Sequence, residues 1–81
     1  MASLKPTITQ RRAALTEAVK KARAEYQAIV RKVDYQVRKE HKDLPWYEQF
    51  ELRESNPEVI KANERLLALC DAANIMGAEI D

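Results

Sequence analysis

Between Thr7 and Lys42 the chain contains neither proline nor glycine, and its apolar residues recur at helical spacing throughout. Ile8, Leu15, Val19, Ala22, Tyr26, Ile29 and Val33 fall on one stripe, and Val30 and Val37 carry it round as a 3.6-residue period drifts from a strict heptad. Thr7 followed by Gln10 has the spacing of a capping box, with Pro6 just outside. Ala13, Ala14, Ala18, Ala24 and Ala28 add intrinsic helix propensity. At ~1.5 Å per residue, a helix over residues 7–42 is a rod of about 52 Å. Such a rod is too long to sit inside a compact globule of 81 residues, so something comparably long has to cover it.

The C-terminal part supplies that cover. Val59, Ala62, Leu66, Leu69, Ala73, Met76 and Ile80 alternate by three and four residues, which draws a narrow seam down one side of a helix, and Leu67 and Cys70 widen it. Ser55, Asn56, Pro57 and Glu58 form a start signal: a capping side chain, a proline suited to the first turn and an acid near the positive end of the dipole. This helix is expected over residues 56–77, fraying beyond Gly77. A shorter helix is expected over residues 44–54, with Pro45 in its first turn. The two return segments together match the rod in length. The expected fold is therefore all-α, one domain over residues 1–81, in which a long N-terminal helix packs antiparallel against a short middle helix and a C-terminal helix.

Charge supports that pairing. Residues 1–43 carry eleven Lys/Arg and five Asp/Glu, whereas residues 44–81 carry three and eight, so a chain of net charge +1 has a basic half and an acidic half. Exposed ion pairs contribute only ~0.2–1 kcal/mol each, so charge selects the pairing more than it holds it. A helical hairpin still leaves much of its apolar stripe open, and two copies closing into a four-helix bundle is the expected remedy. Leu15, Val19, Tyr26, Ile29, Val33, Val59, Leu66, Leu69, Ala73 and Met76 are the seam residues expected to form that core or dimer contact.

The residues that carry chemistry are sparse. His41 is the only histidine and has no second ligand at metal spacing; Cys70 is the only cysteine, beside the apolar seam, and reads as a small buried hydrophobe. Glu48, Glu51, Glu54 and Glu58 have the spacing of a solvated helix face, and no Glu-x-x-His pair accompanies them. No catalytic set, cofactor-binding pattern or metal site is expected, and the chain does not read as an enzyme. It has no apolar run long enough to cross a membrane, no secretory leader is expected from residues 1–12, and a single thiol fits an expected reducing cytoplasm.

Two exposed features remain. Lys20, Arg31, Tyr35, Arg38 and Lys42 project opposite Ile29 and Val33, as a basic strip with a tyrosine in it. Glu17 with Lys21 and Asp34 with Arg38 are placed to relieve it by i, i+4 pairing. Leu44, Trp46, Tyr47, Phe50 and Leu52 gather three of the five aromatic residues at the chain's bend. Trp46 and Phe50, four apart, are expected to share an inward face and Tyr47 to stand aside, more exposed, in the manner of an interface hot spot. The function these features suggest is a non-enzymatic helical protein that binds and modulates a protein partner, itself a homodimer, with Tyr47, Trp46, Phe50, Arg31, Tyr35 and Arg38 as candidate contacts. The alternative is a small dimeric nucleic-acid-binding protein that uses the basic outer face of the long helix.

Overall fold

The computed structural model describes residues 7–80, and among these the regular structure is entirely helical. Helix α1 spans Ile8–Glu40, α2 spans Trp46–Glu54 and α3 spans Pro57–Met76. The start of α1 is the capping box read from the sequence: the Gln10 amide donates to Thr7 Oγ1 at 3.1 Å and the Thr7 amide to Gln10 Oε1 at 2.9 Å.

Two prolines divide the return arm from α1 and from itself, and both act by what they lack. An α-helix continuing past His41 would need the amide of residue 45 to donate to the His41 carbonyl, and Pro45 has no N–H. Helix α1 ends at Glu40, two residues before the expected Lys42, and the carbonyl of His41, which has no amide at residue 45 to take, accepts from the Leu44 amide at 3.1 Å and from Gln49 Nε2 at 2.9 Å. Pro45 also corrects the expected start of α2. With ψ at 158° it lies outside the first turn, as the residue preceding the helix, and its carbonyl accepts from the Glu48 and Gln49 amides. Pro57 repeats the device one arm later: it cannot donate to the Arg53 carbonyl, which takes the Asn56 amide at 3.2 Å instead. Asn56 then caps α3 by accepting from the Glu58 amide at 2.9 Å, with Pro57 at the first helical position.

The far end of α3 closes at Gly77, whose φ of 72° lies in the left-handed region, while the Ala78 amide reaches back to the Ala73 carbonyl at 2.8 Å. Arg12 of α1 caps the same end, its Nε donating to the Met76 carbonyl at 2.6 Å. The chain then doubles back along α1, where Thr16 Oγ1 and Arg23 donate to the carbonyls of Glu79 and Ile80 at 2.7 and 2.6 Å. Ile80 thus lies in a strap rather than on the helical seam where the spacing put it. This reversal also explains why Ile8, expected to begin the inward stripe, is exposed: the arm reaches α1 only as far as Arg12.

The result is an antiparallel hairpin measuring 64 × 22 × 18 Å, with a radius of gyration of 17.4 Å where a compact domain of this length has about 12 Å. Register is marked along its edge by Lys32 against Glu58 at 3.7 Å, a base of the basic half on an acid of the acidic half, and by Arg65 against Glu25 at 3.5 Å, where the signs are exchanged. The buried core is narrow: Val19, Ala22, Val33 and Val37 from α1 meet Val59 and Ala73 from α3. Leu15, Tyr26, Ile29, Val30, Leu66, Leu69, Cys70 and Met76 are half-buried along its flanks, and Leu67, expected to widen the seam, faces outward. Two helices in one layer enclose only the line where they meet, so the larger side chains are left partly open on either side.

Removing methyl groups from that line leaves a cavity with nothing able to fill it. Val33→Ala and Val59→Ala are each expected to cost about 2 kcal/mol, and Leu67→Ala less than ~0.5 kcal/mol. Chemical denaturation followed by circular dichroism measures all three, and equal losses at Leu67 and Val59 would contradict this packing.

Candidate interaction surface

Helix α2 is held to α1 by polar side chains. Gln49 donates to the His41 carbonyl at 2.9 Å, and Arg53, four residues on, places its guanidinium 3.4 Å from Asp34 of α1 and 3.0 Å from Glu54. The same guanidinium lies over the Phe50 ring, 4.7 Å from its centroid. Arg53 is the best buried charged side chain among those in ion pairs, and its Nε is enclosed without a hydrogen-bond partner. Asp34 also takes Arg38, at 3.0 Å and i, i+4 spacing, so one carboxylate of α1 anchors two cations. Sequence reasoning gave Gln49 no role and put Arg53 only on the charged ring around the aromatic bend, not as an anchor. Their four-residue spacing was the available signal, but it does not distinguish two anchors from two solvated residues.

Trp46 and Phe50 line one open recess together with Asp34, Arg38, Gln49 and Arg53, so they do share a face. That face is not a core. Trp46 is 77% exposed and Tyr47 is 53% exposed, which reverses the expected order of burial, and Phe50 is about half exposed. The recess that the two rings line takes only Asp34 and Arg38 from α1, and both are polar and offer an indole nothing apolar to pack on. Trp46 instead meets Tyr47 edge-on, with ring centroids 6.0 Å apart and planes at 86°. On another side of α2, Leu44 and Leu52 line a shallow recess with Glu48, Glu51 and Ser55, which gives the elbow an acidic margin.

The basic strip is present along the outside of α1. Arg31, Tyr35, Arg38 and Lys42 are all exposed, Tyr35 by 67%, and Tyr35, Arg38, Lys39 and Lys42 line a shallow recess of their own. Arg38 lines both this recess and the one beside Trp46, so the two candidate surfaces meet at that residue. Lys20 pairs with Glu17 at 3.7 Å, so Glu17 engages it at i+3 rather than Lys21 at i+4. A third feature was not anticipated: an open groove between α1 and α3 with a floor of Ala22, Ile29 and Ala62, rimmed by Glu25, Glu58, Lys61 and Arg65.

The remaining chemistry-bearing residues stay apart. His41 and Cys70 are half-buried on different elements, and no group of three or more His, Cys, Asp or Glu side chains able to hold a metal ion occurs among the described residues. No helix among them is long and apolar enough to cross a membrane. No protein-family model, curated protein or solved structure matches the chain.

The elbow's exposed rings and its anchoring arginine should separate cleanly in stability measurements. Trp46→Ala is expected to change stability by less than ~0.5 kcal/mol, because an indole standing in solvent contributes little to folding. Arg53→Ala is expected to cost about 1–2 kcal/mol, because the ion pair with Asp34 and the cation over Phe50 both disappear. Thermal and urea unfolding of both variants check this, and a larger loss for Trp46 would place the indole in a core.

Proposed function

We propose that this chain is a non-enzymatic helical interaction protein that works as a homodimer and modulates a protein partner bound at its α2 elbow. The observation that carries the reading is the exposure of Trp46, with Tyr47 and Phe50 beside it, on a nine-residue helix fixed to α1 by Gln49 and Arg53. Large aromatic side chains are costly to leave in water and are enriched at the centres of protein interfaces. Here they sit on a short, anchored element, so little conformational entropy is lost on docking. Glu48 and Glu51 on one margin and Arg38 on the other give the surface a polar rim that excludes water from the rings once they are covered.

Dimerisation is proposed for the reason the narrow core suggests. Two of these hairpins packed through the Ala22–Ile29–Ala62 floor would cover apolar flanks that one hairpin leaves half-open. The rim around that floor has two acids and two bases, Glu25 and Glu58 with Lys61 and Arg65, a pattern that a two-fold related copy can complement.

Light scattering is expected to give twice the 9.3 kDa chain mass at micromolar concentration, with a melting temperature that rises with protein concentration. Ala62→Arg should shift the mass to that of a single chain, and a wild-type mass of 9.3 kDa would end the dimer reading.

For the elbow, a Trp46→Ala/Tyr47→Ala double variant is expected to fold as the wild type and to lose the proteins that the wild type captures from a cell lysate, as identified by mass spectrometry. Unchanged capture by the double variant removes the elbow from the proposal.

A further inference from the structure

We infer that the outer face of α1 binds single-stranded nucleic acid, with Tyr35 as the platform for a base and the cations around it on the phosphates. Tyr35 is 67% exposed at the centre of this face; helical geometry sets Arg31 one turn before it and Arg38 and Lys39 one turn after, and the turn that follows α1 brings Lys42 to the recess that Tyr35, Arg38 and Lys39 line. All four cations are exposed, and three of them line one recess with the tyrosine.

Charge on this stretch is one-sided. Residues 31–42 carry Arg31, Lys32, Arg38, Lys39 and Lys42 against Asp34 and Glu40. Asp34 is already held between Arg38 at 3.0 Å and Arg53 at 3.4 Å, and Lys32 is turned to Glu58 of α3 at 3.7 Å. What faces outward is a cationic surface: Arg31, Lys39 and Lys42 make no ion pair among the described residues, Arg38 shares the Asp34 carboxylate with Arg53, and Arg31 and Lys39 stand about 12 Å apart along the helix axis with the aromatic ring between them. The acidic residues of the C-terminal half do not cancel it, because α3 packs on the opposite side of α1 through Val19, Val33 and Val59.

A single strand is the ligand that uses both components. Its bases are unpaired and offer π-faces for stacking on a tyrosine, while its phosphates follow a row of lysine and arginine side chains without sequence readout. A duplex keeps its bases stacked on one another and would engage the cations alone. The face shares Arg38 with the elbow but none of Trp46, Tyr47 and Phe50, and the variants that test it leave Arg38 in place, so this inference and the elbow proposal succeed or fail separately.

Fluorescence anisotropy of the full chain with a labelled oligodeoxythymidine of roughly 20 nucleotides, alongside its duplex with oligodeoxyadenosine, tests the inference. The strand is expected to bind at about 50 mM salt and to weaken steeply as salt rises. Tyr35→Ala should reduce affinity about fivefold or more with the salt dependence unchanged. An Arg31→Ala/Lys42→Ala variant should instead flatten the slope of log affinity against log salt, by roughly 0.7 for each phosphate no longer neutralised. Circular dichroism confirms that the variants fold, as their exposure leads one to expect. Absence of strand binding at about 50 mM salt would overturn the inference. So would duplex binding as tight as that of the strand with no effect of Tyr35→Ala, or equal binding of poly-glutamate, which would identify a nonspecific cationic face or an acidic protein segment as what the surface recognises.

Discussion

A helix of 33 residues can bury its apolar stripe only against something nearly as long, and that requirement organises the molecule. The return arm meets it in two pieces, a nine-residue helix and a twenty-residue helix, laid antiparallel so that the chain's acidic half faces its basic half. Val19, Ala22, Val33, Val37, Val59 and Ala73 are buried where the long helix and the arm touch, and the other apolar residues are half-covered or exposed. A single layer of paired helices has no third face to close it, so this chain gains less from burial than a three-dimensional core of equal length would provide. The Ala22–Ile29–Ala62 groove is one place where that deficit is visible on the surface.

The joints follow from the backbone chemistry of proline. Pro45 and Pro57 each lack the amide that would have carried a helix onward, and in each case the carbonyl left behind is satisfied within a turn. Because the His41 carbonyl also takes Gln49, the first joint is fastened to the helix that follows it. Arg53 completes the attachment through Asp34, so α2 is set against α1 at two points four residues apart. This polar fastening is what leaves Trp46 and Tyr47 outside: α2 is positioned without using its rings. A surface made in this way is available to a partner without any rearrangement of the fold.

The opposite end is finished differently. Gly77 turns the chain in the left-handed region, Arg12 takes the last carbonyl of α3, and Thr16 and Arg23 hold the strap that runs back along α1. Each of these three side chains of α1 reaches a main-chain oxygen more than fifty residues away. Such bonds depend on no particular side chain in the strap, which is why no residue pattern in the C-terminal sequence announces them.

What the sequence determined by itself was most of what depends on neighbours three or four residues away, the choice of Lys20 over Lys21 by Glu17 and the place of Pro45 before α2 excepted. The helical period of α1, the Thr7–Gln10 box, the Asn56–Pro57 start and the Gly77 stop all belong to this class, and so does the pairing of Asp34 with Arg38. These are relations within one turn of helix, and residue types and spacing state them fully. The tertiary structure alone decided how far each face is covered. Spacing placed Trp46 and Phe50 on one side of α2, but whether that side was core depended on what α1 set opposite it, and Asp34 and Arg38 are polar. Leu67 and Ile8 were apolar residues at permitted positions, and they are exposed because α3 turns its other face inward and the strap reverses before reaching the start of α1. Burial is a property of two surfaces meeting, and a one-dimensional pattern specifies only one of them.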